Sequence, residues 1–293
     1  MLEIKNLTRR FGDLTAVDDV SFEVDPGKFT GFVGGNGAGK TTTMRLVMGL
    51  LQPNSGEVLW HGAPVTAADR AQFGYMPEER GLYPKQPVRN QLVYLGELHG
   101  MPHREAREAA EHLLRRFGLG ERMRDKLEKL SLGNQQRVQI AAAVMANPKC
   151  LILDEPFSGL DPDAVDEMFT VLSEFTARGV PVLFSSHQLD LVERLCDDII
   201  ILAKGRVVAN GSVEQLREAG QSQHRIRSEV DLGWLRGFPG VQVLDLDGRE
   251  AHVAFTDVAS EQAVLHEAIS RGAVRAFGPT VRPLSEIYRE VTR

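Results

Sequence analysis

Gly34-Gly35-Asn36-Gly37-Ala38-Gly39-Lys40-Thr41 is the stretch on which the reading of this chain turns. It fits the pattern G-x-x-x-x-G-K-[ST], and its flanks are those the chemistry requires. Before it, Phe29-Thr30-Gly31-Phe32-Val33 reads as a buried strand; after it, Thr42 to Leu50 has helical periodicity with Gly49 near its end. Strand, glycine loop and helix together make a phosphate cradle. Glycines let consecutive backbone N–H groups turn inward around an anion, and the helix N-terminus adds partial positive charge. In such a cradle Lys40 sits on the β- and γ-phosphates, the Thr41 hydroxyl is a ligand of Mg²⁺, and Thr42 meets the α-phosphate. The loop by itself specifies a nucleoside triphosphate and nothing further.

Two later stretches narrow it. Leu151-Ile152-Leu153-Asp154-Glu155 reads as a buried strand delivering two carboxylates at its carboxyl end, the side on which an α/β sheet binds ligands. An Asp there can hold Mg²⁺, and the adjacent Glu can polarise the water that attacks the γ-phosphorus. Leu130-Ser131-Leu132-Gly133-Asn134-Gln135-Gln136-Arg137 precedes a helical run, so Ser131 and the backbone N–H groups near Gly133 suit a second anion site, or simply a capped helix.

The rest of the chain frames these motifs. Residues 1–30 alternate as antiparallel strands, with turns at Gly12-Asp13 and Asp25-Pro26-Gly27. Between them Phe11 is either a core residue or a ring on which a purine stacks. Pro87 to Leu130 turns helical, an insertion inside an α/β pattern that resumes at residue 151 and runs to about residue 210. Gly220-Gln221-Ser222-Gln223 contains nothing to bury, which places a linker at residues 216–224. Beyond it a compact α+β pattern follows: a strand from His224, a hairpin across Asp247-Gly248, a helix from Asp257 to Gly272, a strand near Val274 and a last helix from Pro283. The histidines there, His224, His252 and His266, read as surface or packing residues.

Composition excludes several classes. With 293 residues, 42% hydrophobic and 25% charged, the chain has the make-up of a globular protein of two domains. Its formal net charge of −6 argues against a nucleic-acid surface as its main business. Cys150 and Cys196 are too few for a disulfide framework and read as reduced core positions. No apolar run approaches the ~18 to 20 residues of a membrane helix, and Met1-Leu2-Glu3-Ile4-Lys5 begins a strand rather than a signal peptide. The expectation is a cytoplasmic polypeptide that does not cross a bilayer alone.

In this order and spacing the motifs resemble those of the ATP-binding cassette ATPases, the motor subunits of ABC transporters. Gly34 to Thr41 is similar to the Walker A loop, Leu130 to Gln135 to the signature motif, and Asp154-Glu155 to Walker B. Ser158-Gly159-Leu160-Asp161 resembles the D-loop, Ser185-Ser186-His187 the switch histidine, and Phe11 the adenine-stacking aromatic. The resemblance implies an α/β fold for residues 1–215: a RecA-like α/β core, an antiparallel β subdomain and a helical subdomain at residues 87–145. Residues 225–293 would be a small C-terminal α+β accessory domain. It further implies ATP and Mg²⁺ as cofactors and a head-to-tail homodimer or heterodimer of ATPase subunits. In that dimer each ATP lies between the Walker motifs of one subunit and Ser131, Gly133 and Asn134 of the other. His187 would hold the γ-phosphate and attacking water, Glu155 would act as base, and Asp161 would reach across the interface. The expected partner is a transmembrane permease, with this chain peripheral to the cytoplasmic face of the cell membrane.

Departures from the family pattern fall at functional positions. Glu78, in Tyr75-Met76-Pro77-Glu78, stands where the family usually has Gln; a carboxylate there can reach Mg²⁺ but adds negative charge near the γ-phosphate. The signature is Ser-Leu-Gly-Asn rather than Ser-Gly-Gly-Gln, and Gly35 stands where Pro is common. The segment from Glu78 to Pro87, the helical insertion and the tail at Pro283-Leu284-Ser285-Glu286 resemble the sodium- and drug-exporting branch, so efflux is the expected direction. Two other readings compete. A non-transport ABC ATPase acting on nucleic acid or ribosomes is disfavoured by one cassette in place of two, the absence of zinc cysteines or a strongly basic segment, and too short a path from Lys40 to Ser131 for a long coiled coil. A regulatory module without turnover would need a damaged site, and Lys40, Asp154, Glu155 and His187 are all present.

Overall fold

The computed structural model describes residues 1–79, 81–218, 223–280 and 283–292. It divides into two compact units, Met1–Ser212 and Val213–Val291.

The first unit opens with β1 (Leu2–Phe11) and β2 (Leu14–Val24), an antiparallel pair turning at Gly12-Asp13. The buried strand β3 (Phe29–Val33) leads through the glycine loop into α1 (Lys40–Val47). Then come β4 (Ser55–Trp60), β5 (Ala63–Pro64), the short α2 (Ala67–Arg70) and β6 (Phe73–Met76). The helical insertion is α3 (Val88–Leu98), α4 (His103–Arg116) and α5 (Leu132–Val144). Between α4 and α5 the expected helical run gives way to two 3-10 turns, Gly120–Arg122 and Leu127–Lys129, after Gly118 takes φ +68° and ends α4. The α/β pattern resumes with β7 (Cys150–Leu153), α6 (Pro162–Thr176), β8 (Val182–Ser186), α7 (Leu189–Leu195), β9 (Asp198–Ala203) and β10 (Arg206–Ser212).

These strands form two sheets. One is antiparallel, in the order β2-β1-β4-β5; the other runs β10-β9-β3-β8-β7-β6, with only the β10–β9 pairing antiparallel. The strands β3, β7 and β8 are buried along their whole length, as a sheet covered on both faces requires. A single core joins the sheets: Leu2, Ile4 and Phe22 from the antiparallel one, Met44 and Val47 from α1, and Phe32, Ile152, Leu183 and Ile200 from the central one. Cys150 lies in this core, and burial pushes its thiol up to about 12.

The second unit begins with α8 (Val213–Glu218), followed by β11 (Gln223–Ser228), β12 (Val241–Asp247), β13 (Glu250–Phe255), α9 (Val258–Arg271), β14 (Val274–Pro279) and α10 (Leu284–Val291). Its antiparallel sheet has the order β12-β13-β11-β14, and Ile226, Val253, Phe255 and Val264 centre its core. Asp257 caps α9 by accepting from Ser260 N at 2.7 Å. His224 is a packing residue, buried against the rings of Phe255 and Phe277 with Glu261 3.3 Å away. Val213 and Leu216 are buried, so the chain enters this unit before residue 216. Of the segment expected as linker, α8 takes 216–218 and β11 takes 223 and 224, while 219–222 lie outside the described residues.

Candidate functional site

Topology places the chemistry on one edge. β8 lies between β3 and β7, with Val33 opposite Ser186 and Leu153 opposite Phe184. The parallel register therefore delivers the phosphate loop, Asp154-Glu155 and Ser185-Ser186-His187 from three adjacent carboxyl ends, and β6 beyond β7 delivers Glu78. They open onto a cavity of about 940 Å³ that is lined by Phe11, residues 35–42, Glu78, Asp154, Glu155 and His187.

The loop has the expected form. Gly39 caps α1 at φ +107°, and a Cβ there would stand 2.5 Å from the Ala16 carbonyl oxygen, so both backbone conformation and space require glycine. Lys40 is buried, its Nζ donating to the carbonyls of Gly34 at 2.7 Å and Gly35 at 3.4 Å. Gly34 itself is outside the cavity lining and serves as this anchor. Phe11 is 45% exposed, which rules out the core reading; it faces the cavity, with the Arg9 guanidinium 4.7 Å from the ring centre.

The two carboxylates differ. Asp154 is 1% exposed; its Oδ1 accepts from Ser185 Oγ at 2.5 Å, while its Oδ2 is buried with no hydrogen-bond partner. An orphaned carboxylate oxygen in a polar cavity is what a hard cation requires, and with the Thr41 hydroxyl and Glu78 on the same cavity the donor set is all oxygen, as Mg²⁺ prefers. Glu155 is partly buried and stands at φ +52°, a left-handed conformation uncommon for a residue with a side chain. Burial pushes its carboxyl above the usual glutamate range; a hydrogen bond from His187 Nδ1 at 3.0 Å and the charges of His187 and Lys40 pull it back.

Four of the expected residues are elsewhere. Ser131, Gly133, Asn134 and Asp161 do not line this cavity. Ser131 caps α5, its hydroxyl accepting from Asn134 N at 3.4 Å, and Asp161 caps α6, accepting from Ala164 N at 2.8 Å. Leu132, half exposed, packs by its side chain toward Gly159, and Leu160 toward Gly133, so the signature segment and the 158–161 loop interlock within the chain.

Sequence reasoning missed two residues here. Gln136 lines the cavity and donates through Nε2 to the carbonyls of Glu155 and Pro156, at 2.8 and 2.9 Å. Its position one helical turn after Leu132 was the available signal. Ser185, read only as a neighbour of His187, bridges the two carboxylate residues; no periodicity marks it, because the bridge depends on β8 pairing with β7.

Comparison with known proteins shows the family. Residues 17–158 match the family model described as ABC transporter, and residues 211–292 match that of the ATP-binding protein DrrA1-3-like C-terminal domain. The chain is 40% identical over 293 residues to the uncharacterized ABC transporter ATP-binding protein YhaQ of Bacillus subtilis, covering 99% of this chain and 98% of that one. It is 35% identical over 219 residues to the linearmycin resistance ATP-binding protein LnrL of the same organism, covering 74% and 70%. A solved ATP-binding subunit of an ABC transporter superposes with a TM-score of 0.69 at 34% identity, over 75% of this chain and 92% of that chain. With a phosphate cradle and paired carboxylates on the edge of a cassette sheet, and a relative matching from end to end, this chain belongs to the ABC transporter ATP-binding proteins, ATPase subunits that drive transport.

Proposed function

We propose that the cavity holds Mg²⁺-ATP, with Glu155 as the general base, and that the site is completed by a second ATPase subunit. The observation that carries this is the pairing of an orphaned Asp154 Oδ2 with a raised Glu155 carboxyl on the rim of a phosphate loop. In this reading Lys40 leaves the Gly34 and Gly35 carbonyls for the β- and γ-phosphates, N–H groups of residues 35–42 cradle the phosphates, and adenine stacks on Phe11. Thr41, Asp154 and Glu78 hold Mg²⁺, which when bound neutralises charge gathering on the phosphate oxygens. Glu155 takes the proton of the attacking water, and His187 orients the Glu155 carboxylate and the γ-phosphate.

Ser131, Gly133, Asn134 and Asp161 enter from the second subunit. Their absence from the cavity of their own chain supports this arrangement. ATP then bridges the subunits, and loss of the γ-phosphate lets them separate, a gating motion that a membrane partner can follow.

Among the described residues, no helix is long and apolar enough to cross a membrane. A separate permease supplies the path, with this chain held on the cytoplasmic face and no nucleic acid involved. A groove of about 300 Å³ lined by Tyr75, Leu95, His99 and Gln139 offers a place for it: Gln139 is 4% exposed, and neither atom of its amide is paired. Tyr94 and Leu98, on the same helix as Leu95, are exposed. Export of a drug-like compound or ion is the direction favoured by the likeness to a resistance protein.

Purified protein tests the nucleotide reading: Mg²⁺-dependent release of phosphate from ATP is expected, lost in Lys40→Ala together with ATP binding. Equal turnover in that variant contradicts it. An adjacent reading frame encoding several ~20-residue apolar helices supports the transporter reading.

A further inference from the structure

We propose that Ser185 is a positioning residue of the hydrolytic site: its one hydroxyl, donating to Asp154 Oδ1 and accepting the Glu155 N–H, sets both carboxylates at once. The inference deepens the ATPase reading and rests on it.

Directionality follows from valence. The Glu155 amide can only donate, so at 2.8 Å it donates to Ser185 Oγ. The hydroxyl has a single proton, and it points to Asp154 Oδ1 at 2.5 Å. Ser185 is fully buried, so no water competes for either bond. One carboxylate oxygen of Asp154 is therefore engaged, and the other, Oδ2, is left unpartnered. Ser185 thus selects the oxygen that the cation receives, the role of a residue that orients a ligand from behind.

The same hydroxyl acts on Glu155. Its backbone is at φ +52°, and such a conformation persists only where the surroundings over-determine it. Ser185 holds the N–H from the strand side, and Gln136 holds the carbonyl from α5 at 2.8 Å. Clamped from both ends, the residue turns its carboxylate toward His187, 3.0 Å away. Metal carboxylate and base are thereby coupled through one atom, and a shift in either is felt by the other.

The test is a comparison of wild type, Ser185→Ala and Ser185→Thr in the full chain. Mn²⁺ replaces Mg²⁺, so that cation binding with ATP is read by electron paramagnetic resonance, separately from turnover. In Ser185→Ala the Mn²⁺ affinity in the presence of ATP and kcat are each expected to fall about 10- to 100-fold. Affinity for ATP without cation stays within about threefold, since the phosphate loop is untouched. Ser185→Thr keeps the hydroxyl and restores both quantities. If Ser185→Ala is insoluble, Ser185→Cys, with similar volume and a weak donor, is measured in its place with the same losses expected. Wild-type cation affinity and kcat in the Ala or Cys variant overturn the proposal, as does an equal loss in Ser185→Thr. Failure of the wild type to bind Mn²⁺ with ATP overturns the ATPase reading itself and this inference with it.

Discussion

At the residue scale, the site gives two carboxylates of adjacent position different environments, which suits them to the two tasks proposed for them. Asp154 is fully buried and accepts a hydrogen bond from the Ser185 hydroxyl, while Glu155 is partly desolvated and accepts one from His187. The raised Glu155 carboxyl gives a signed prediction. With Glu155 as the proposed base, activity needs its deprotonated form, so the acid limb of kcat is expected above the ~4.3 of an unperturbed glutamate. His187→Ala removes a hydrogen bond and a charge that both lower the value, and the limb moves further up; a pH profile of kcat checks this, and a limb moving down contradicts it. Glu78 gives a second prediction. In the proposed pose its carboxylate stands near the γ-phosphate, so Glu78→Gln is expected to raise affinity for ATP without Mg²⁺ by on the order of tenfold. Unchanged affinity and turnover in a titration would leave that carboxylate without a role.

At the element scale, the site depends on β8, which carries Ser185 and leads into His187 between the phosphate loop and the acidic pair. Phe184 anchors it: fully buried, its ring meets that of Phe157 edge-on at 5.4 Å and Phe29 at 6.5 Å. Phe184→Ala leaves a cavity under the catalytic edge and is expected to lower unfolding free energy by about 3–5 kcal/mol in urea. A loss under 1 kcal/mol would mean that the strand is held elsewhere. Most of this layer was legible in the amino-acid sequence. Glycines, apolar runs and acidic strand ends are local signals, so the phosphate loop, the Asp154-Glu155 strand and the Asp247-Gly248 hairpin stand where the pattern places them. The bridge through Ser185 and the clamp from Gln136 were not legible, because each joins residues brought together only by strand pairing or helix packing. The run after Arg116 misled for a related reason: its apolar spacing is helical, but the glycines at 118 and 120 break it into short turns.

At the scale of the whole molecule, the unit Met1–Ser212 gathers the phosphate loop and the acidic pair on one cavity and keeps Ser131 and Asp161 on separate helix caps outside it. The proposed function accounts for this division by a second subunit that brings those residues to the ATP. Removing the base should freeze that state. Glu155→Gln is expected to bind ATP with near wild-type affinity while kcat falls about 10²- to 10⁴-fold. The direct measurement is the sedimentation of Glu155→Gln with and without Mg²⁺-ATP. A shift from monomer to dimer on adding ATP, absent with ADP, is the predicted result; a variant that binds ATP yet sediments as a monomer would contradict the shared site.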